Sequence, residues 1–159
     1  MKAKIFTVFL CCIALGSYAQ ESGFLAPNRL GISFQEVVGI DLGLVAFNAY
    51  DDRDAFKYAD VSLGAEAYIA DPFILAPKLN FDFGIGLLGG GVDVSLPTDF
   101  SRSALMVTPK VGITLASFVR VYYGRHLFHE KGGFPDLGKH RVSLEVNIAA
   151  LHDAKFGGW

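Results

Sequence analysis

Three residues near the end of the chain have the side chains of a hydrolytic triad. His140, Ser143 and Glu145 could supply a base, a nucleophile and an orienting carboxylate, which must lie within hydrogen-bond reach of one another. The residues around them alternate between polar and apolar types, which predicts a β-strand whose successive side chains point to opposite faces. His140 and Ser143 then lie on opposite faces, so we predict no catalytic site here.

Two further motifs resemble ligand sites in their spacing alone. His126 and His129 precede Glu130 in a predicted loop, but the sequence offers no firm third ligand on an ordered element, so we predict no metal site. Gly89-Gly90-Gly91 lacks the lysine and the following helix of a phosphate-binding loop, and we interpret it as a turn. No cofactor is predicted, and we do not expect the chain to be an enzyme.

Charged side chains on one face of the predicted strands form the main candidate site. By the alternation, five basic and five acidic residues share this face. A charge in a low-dielectric interior must be paired or hydrogen-bonded, so a balanced set predicts a salt-bridged filling, with a charged conduit as the alternative. The predicted inward-facing charge network consists of Arg29, Asp41, Glu66, Lys78, Asp82, Asp93, Lys110, Arg120, Arg141 and Glu145.

The elements that would carry these charges are short strands of alternating polarity. In residues 78–88, Leu79, Phe81 and Phe83 share one parity, and lysine, asparagine, aspartate and glycine occupy the other. Residues that favour turns separate eight predicted strands. The strands are 29–36, 38–48, 58–70, 74–88, 91–97, 104–116, 118–127 and 139–151. Because the apolar parity continues past Glu36, residues 29–47 could instead form one strand.

These strands predict an all-β fold, an up-and-down antiparallel transmembrane β-barrel of eight strands. The polar faces are rich in glycine and small residues, as a narrow interior requires, and the apolar faces are long enough to cross a membrane. A barrel has no free edge, so strand 29–36 should pair with strand 139–151. The alternative is a soluble secreted or periplasmic lipocalin-like barrel, in which the apolar faces point inward and bind a small apolar ligand.

The first 19 residues have the pattern of a secretory signal peptide. Lys2 and Lys4 precede an apolar segment, and Ser17-Tyr18-Ala19 is a small-x-small cleavage site, so we expect cleavage after Ala19. Both cysteines lie in this segment, which leaves residues 20–159 as a single domain without a disulfide. That domain has 12 basic and 16 acidic residues and no basic patch, so no nucleic-acid partner is expected.

Several segments resemble small outer-membrane β-barrel proteins of Bacteroidetes-type bacteria, with the architecture of OmpA and OmpX. They are the leader, the openings Pro77-Lys78-Leu79 and Pro109-Lys110-Val111, the segment Val121-Tyr122-Tyr123-Gly124, and the closing residues 139–146. The resemblance implies residence in the bacterial outer membrane, both termini in the periplasm, and a structural or surface-interaction role.

The same resemblance implies partners and an assembly signal. The partners are outer-membrane lipid and, during biogenesis, periplasmic chaperones and the barrel-assembly machinery. Such barrels end their last strand on an aromatic residue that the machinery reads, and here Phe156 and Trp159 are both candidates.

Overall fold

The chain forms a closed antiparallel β-barrel. The structure is a computed structural model and describes residues 29–51, 57–115, 118–128 and 134–148. The predicted leader, His129, Glu130, Phe156 and Trp159 lie outside the described residues, as does the end of the last strand. The strands are β1 (Arg29–Phe34), β2 (Val38–Asp51), β3 (Lys57–Ile69), β4 (Ile74–Ile85), β5 (Leu88–Ser95), β6 (Met106–Leu115), β7 (Val119–Arg125), β8 (Leu127–Phe128) and β9 (His140–Asn147).

Strands β7 and β8 together form one strand of the barrel wall. Both pair with β6 in a single register, in which Lys110 lies opposite Gly124 and Val107 lies opposite Leu127. That register places Arg125 opposite Pro109, which has no N–H to donate, so the ladder is interrupted there. The nine segments therefore form an eight-stranded wall, as the sequence predicts.

Pairing of the first and last strands closes the wall. β1 pairs antiparallel with β2 on one side and with β9 on the other, and Ile32 lies opposite Leu144. The predicted closure is confirmed, and so is the break near Glu36, because β1 ends at Phe34 and β2 begins at Val38. Closure leaves no unpaired edge along β1 or β9, which matters because exposed edges pair with other chains.

The strands are strongly staggered around the barrel. From Ile74 on β4, the paired positions lead through β3, β2, β1, β9, β7, β6 and β5 and return to β4 at Gly84, ten residues further along. Eight strands with this stagger tilt by about 40° from the barrel axis and enclose an interior just wide enough for side chains. The interior is therefore a packed core.

The ends of the barrel differ in their connections. Arg29 and Asn147 lie at one end, which we call the terminal end, together with the two-residue turn at Gly86 and Leu87. At the opposite end, the loop end, the connections include the three residues between β1 and β2 and the segment 96–105 between β5 and β6. The predicted breaks between strands 58–70 and 74–88 and between strands 91–97 and 104–116 also lie at the loop end.

Two details differ from the sequence prediction. The glycine run 89–91 is part of β5, and the chain reverses earlier, at Gly86, whose φ of 59° suits glycine. A bulge in β2 also shifts the register between Gly43 and Val45, so Leu44 does not continue the outward series. Next to this bulge, Leu42 lies so close to Gly64 on β3 that a Cβ at position 64 would overlap the carbonyl oxygen of Leu42.

Closure by β1 and β9 can be tested with a disulfide. Leu30 lies directly opposite Val146, so Leu30→Cys with Val146→Cys should cross-link on oxidation in a chain that lacks Cys11 and Cys12. Leu30→Cys with Val142→Cys is the control, offset by four residues or about 13 Å. Gel mobility without reductant measures the product, and equal cross-linking of the two pairs would contradict the register.

Candidate functional site

The barrel interior is lined with charged and polar side chains. The structure places all ten residues of the predicted charge network on the inward face, and each of their side chains is at most 3% exposed. Alternation along the strands positions them, since each strand contributes inward residues at every second position. Among the described residues these charges form one connected set of ion pairs.

Lys110 on β6 occupies the centre of this set. Its Nζ lies 2.9 Å from Asp82 Oδ1 and 3.0 Å from Asp93 Oδ1. Glu145 on β9 accepts from the same ammonium at 3.1 Å. Asn80 supplies a further acceptor at 3.1 Å through its side-chain oxygen. One ammonium thus joins carboxylates from three strands, β4, β5 and β9.

Two more cations connect this centre toward the loop end. Lys78 donates to Asp41 at 2.7 Å and to Glu66 at 3.3 Å. Arg141 reaches Asp93 at 2.9 Å and Glu66 at 3.3 Å. Glu66 also accepts a hydrogen bond from Ser33, so this carboxylate has partners on β1, β4 and β9.

Two arginines extend the network toward the terminal end. Arg29 lies 3.0 Å from Asp41, and Arg120 donates to both Asp60 and Asp82 at 3.0 Å. The Arg120 guanidinium also stacks 4.3 Å from the centre of the Tyr58 ring, a favourable cation–π contact.

A pair of tyrosines lies beside these arginines. The Tyr58 hydroxyl hydrogen-bonds the Tyr122 hydroxyl at 2.7 Å across the interior. Lys110 Nζ lies 4.6 Å from the centre of the Tyr122 ring, so this ring contacts the central cation. The two tyrosines therefore fill the terminal end of the interior, and their rings make cation–π contacts with the neighbouring Arg120 and Lys110.

Asp60 belongs to the network although the sequence prediction omitted it. It accepts from Arg120 and from the Asn147 side chain, the latter at 2.9 Å. The sequence pattern does indicate that Asp60 faces inward, because it shares the parity of Ser62 and Glu66 on β3. With it the described network has five cations and six carboxylates, so its formal charge is negative rather than balanced.

The predicted triad residues do not form a catalytic group. Ser143 is buried and donates to Glu145 at 3.1 Å, whereas His140 is exposed on the outside of the wall and hydrogen-bonds Tyr123. The other histidine in the described residues, His126, is buried and contacts Thr108 and Gln35. The structure therefore separates the base from the nucleophile by the thickness of the wall.

An apolar cluster covers the network at the loop end, and the sequence pattern did not predict it. Leu137 is the last residue of a short 3-10 helix, Pro135–Leu137, and Phe134 directly precedes this helix. Both side chains are buried against Ile74 and Met106 from the wall. Ala104 joins them from the segment between β5 and β6. These residues come from connections far apart in sequence, so no periodic pattern marks them. They separate the described charges from water at this end.

A hydrogen-bonded loop holds part of this cover in place. Asp99 Oδ1 accepts from the backbone N–H groups of Ser101 and Arg102 at 3.0 and 2.8 Å, and these bonds hold the pKa of the Asp99 carboxyl below its ordinary value. The Arg102 guanidinium in turn lies 4.7 Å from the centre of the Phe134 ring. Phe100 at the loop tip has a φ of 66°, a conformation that a bulky residue adopts only when its surroundings impose it.

Comparisons with known proteins identify no relative. The chain matches no protein family, no curated protein and no solved structure. Within the described residues, no group of three or more histidine, cysteine, aspartate or glutamate side chains has an arrangement that could hold a metal ion. The same part of the chain contains no helix that is long and apolar enough to cross a membrane.

Removing the central cation should reveal how far the network stabilises the fold. Lys110 faces Asp82, Asp93 and Glu145, so Lys110→Gln leaves the six buried carboxylates of the described network with four cations. We expect a loss of about 3–5 kcal/mol in the free energy of unfolding. Urea denaturation followed by circular dichroism measures this loss.

The control for this substitution removes a cation whose side chain is 51% exposed. Arg102→Gln removes the ion pair with Asp99 and the contact with the Phe134 ring, and it should cost about 1–2 kcal/mol. Equal effects of the two substitutions would show that the buried network has no special role in stability.

Proposed function

We propose that the protein is an integral outer-membrane β-barrel with a structural or surface-interaction role and no catalytic step. The observation that supports this most strongly is the inverted distribution of side chains. Charged residues fill the interior, and large apolar residues are exposed on the wall, among them Phe83 at 62%, Ile85 at 57% and Ile113 at 54%. A soluble protein leaves such a continuous apolar surface in water only at high cost.

The exposed apolar surface forms a band around the wall. Among outward positions on the strands whose side chains the structure describes, the charged or ionisable groups other than tyrosine are Lys57, Arg125 and His140. On β4 the outward series runs from Leu75 to Ile85 without interruption. Strands tilted by about 40° give this series a height of about 25 Å, the thickness of the apolar band on outer-membrane barrels.

The backbone supports the same proposal. In hydrocarbon every N–H and C=O group must be satisfied within the protein, and a closed barrel meets this requirement. The ladder between β1 and β9 completes the closure and places both described chain ends at one end of the barrel. For an outer-membrane barrel we propose that this end faces the periplasm, where the barrel-assembly machinery recognises Phe156 or Trp159.

A lipocalin-like carrier remains the alternative to be tested. Such a barrel would need an apolar cavity, whereas the described interior is charged at its centre and apolar only beneath the loop-end cover. The two proposals predict opposite behaviour in cells, because a carrier is released from membranes by carbonate and an integral barrel is not.

Fractionation combined with a wall substitution tests the proposed location. The wild-type chain should stay with the outer membrane after a carbonate wash. Phe81 is exposed near the middle of the outward series from Leu75 to Ile85, so Phe81→Arg should reduce assembly, because a charge at mid-wall costs about 2–4 kcal/mol. Phe81→Leu is the control. Release of the wild-type chain, or equal tolerance of arginine and leucine at position 81, would contradict a membrane-embedded wall.

Gly84→Ser, which the alternation suggests as a mild control, is unsuitable. Gly84 points inward against Tyr58, and a Cβ at position 84 would overlap that ring and approach the Leu88 carbonyl oxygen at 2.8 Å. The substitution would therefore test interior packing and leave the wall untouched.

Conductance tests whether the charges fill the interior or line a path. Lys110 and the carboxylates around it occupy the middle of an eight-stranded interior, which has room for little else. The purified protein in planar lipid bilayers should therefore show at most small and rare current steps. Large, steady, ohmic channels would support the charged conduit instead.

A further inference from the structure

Two of the outward-facing polar groups are neighbours at the loop end of the wall. Arg125 on β7 lies directly opposite His140 on β9, and both side chains are exposed. Lys57, another outward charge, lies at the start of β3 at the terminal end, opposite Asp51. The wall therefore carries a cation next to an acidic residue at one end and a pair of basic side chains at the other.

Tyr123 orients the histidine of this pair. Its hydroxyl is hydrogen-bonded to His140 Nδ1, and the two rings stack with their centres 5.9 Å apart and an angle of 25° between their planes. The hydrogen bond and the stacking therefore hold the His140 ring in a fixed orientation. We call Tyr123, Arg125 and His140 the loop-end basic patch.

The surroundings of the patch are apolar. Leu127 lies next to Arg125 toward the loop end, Val142 lies next to His140 toward the middle of the wall, and both are exposed. Among the described residues, no carboxylate lies within ion-pair distance of Arg125 or His140. Glu36 is the nearest acidic residue at this end by strand register, and its side chain packs beside Gly138.

An exposed arginine on such a wall needs an anionic partner. A cation facing lipid is costly unless it reaches the interface and pairs there, and the guanidinium binds phosphate through two parallel hydrogen bonds. A histidine held beside it adds a donor at the same level. The patch is thus complementary to a phosphate group in the headgroup layer, just above apolar wall that contacts acyl chains.

We propose that the loop-end basic patch binds the phosphate of a lipid headgroup in the leaflet that surrounds the loop end. This inference rests on the proposed function, since only a membrane-embedded wall brings headgroups to Arg125. Arg125 forms the bidentate contact, His140 donates a further hydrogen bond, and Val142, one outward position nearer the middle of the wall, contacts the first carbons of the lipid. The patch then fixes the depth of this side of the wall in the leaflet.

The test uses the full-length mature chain in lipid nanodiscs. The discs contain phosphatidylcholine and phosphatidic acid in equal amounts. Native mass spectrometry counts the lipids that stay bound to the protein after it is released from the discs. Wild-type protein should retain phosphatidic acid, and Arg125→Gln with His140→Gln should reduce this retention about tenfold. Lys57→Gln, the matched control at the terminal end, should retain it as the wild type does. Circular dichroism verifies that each variant is folded.

Each other outcome overturns a definite claim. Equal retention by all three proteins overturns the lipid site and leaves the membrane barrel intact, because the chain has still entered the discs. Complete displacement of phosphatidic acid by excess inorganic phosphate shows a site for free anions and overturns the lipid assignment. Failure of the wild-type chain to enter discs at all contradicts the proposed function itself.

Discussion

The constraint that governs this barrel is that an ionised side chain in a narrow, dry interior must find its counter-charge there. Eleven described charged groups meet it by sharing partners: Asp82, Asp93 and Glu145 each lie within ion-pair distance of three cations. Because the partners come from all eight wall strands, a shift of any strand by one residue would turn its charges outward and leave the others unpaired. The network therefore specifies the register as strongly as the backbone ladders do.

Much of this arrangement was predictable from local sequence. A period of two assigns each residue of a strand to one face, so the inward position of Lys78, Asp82 and the other network residues follows from alternation alone. Closure of β1 on β9 follows as well, since an even number of strands leaves two edges that must meet. The same rule assigned His140 and Ser143 to opposite sides of the wall, as the structure shows.

The remaining features depend on contacts between residues distant in sequence. The β2 bulge is stabilised by the absence of a side chain at Gly64 on the neighbouring strand, which alternation within β2 cannot indicate. The glycine run 89–91 has turn-like composition, yet Gly89 and Gly91 face Tyr58 and Asp82 in a crowded part of the interior, where side chains do not fit. Phe134 and Leu137 lie outside any segment of alternating polarity. Their burial depends on contacts with wall residues at the loop end, which the local sequence does not indicate.

The ladder between β1 and β9 also has a kinetic consequence. Its partners, such as Arg29 and Asn147, are separated by nearly the whole described chain, whereas each other ladder joins wall strands that are consecutive in the sequence. Closing so large a loop costs more entropy than forming any hairpin, so this ladder should form last. Until the final strand is available, β1 has only one neighbour, and the chain must be kept from pairing with other copies during that interval.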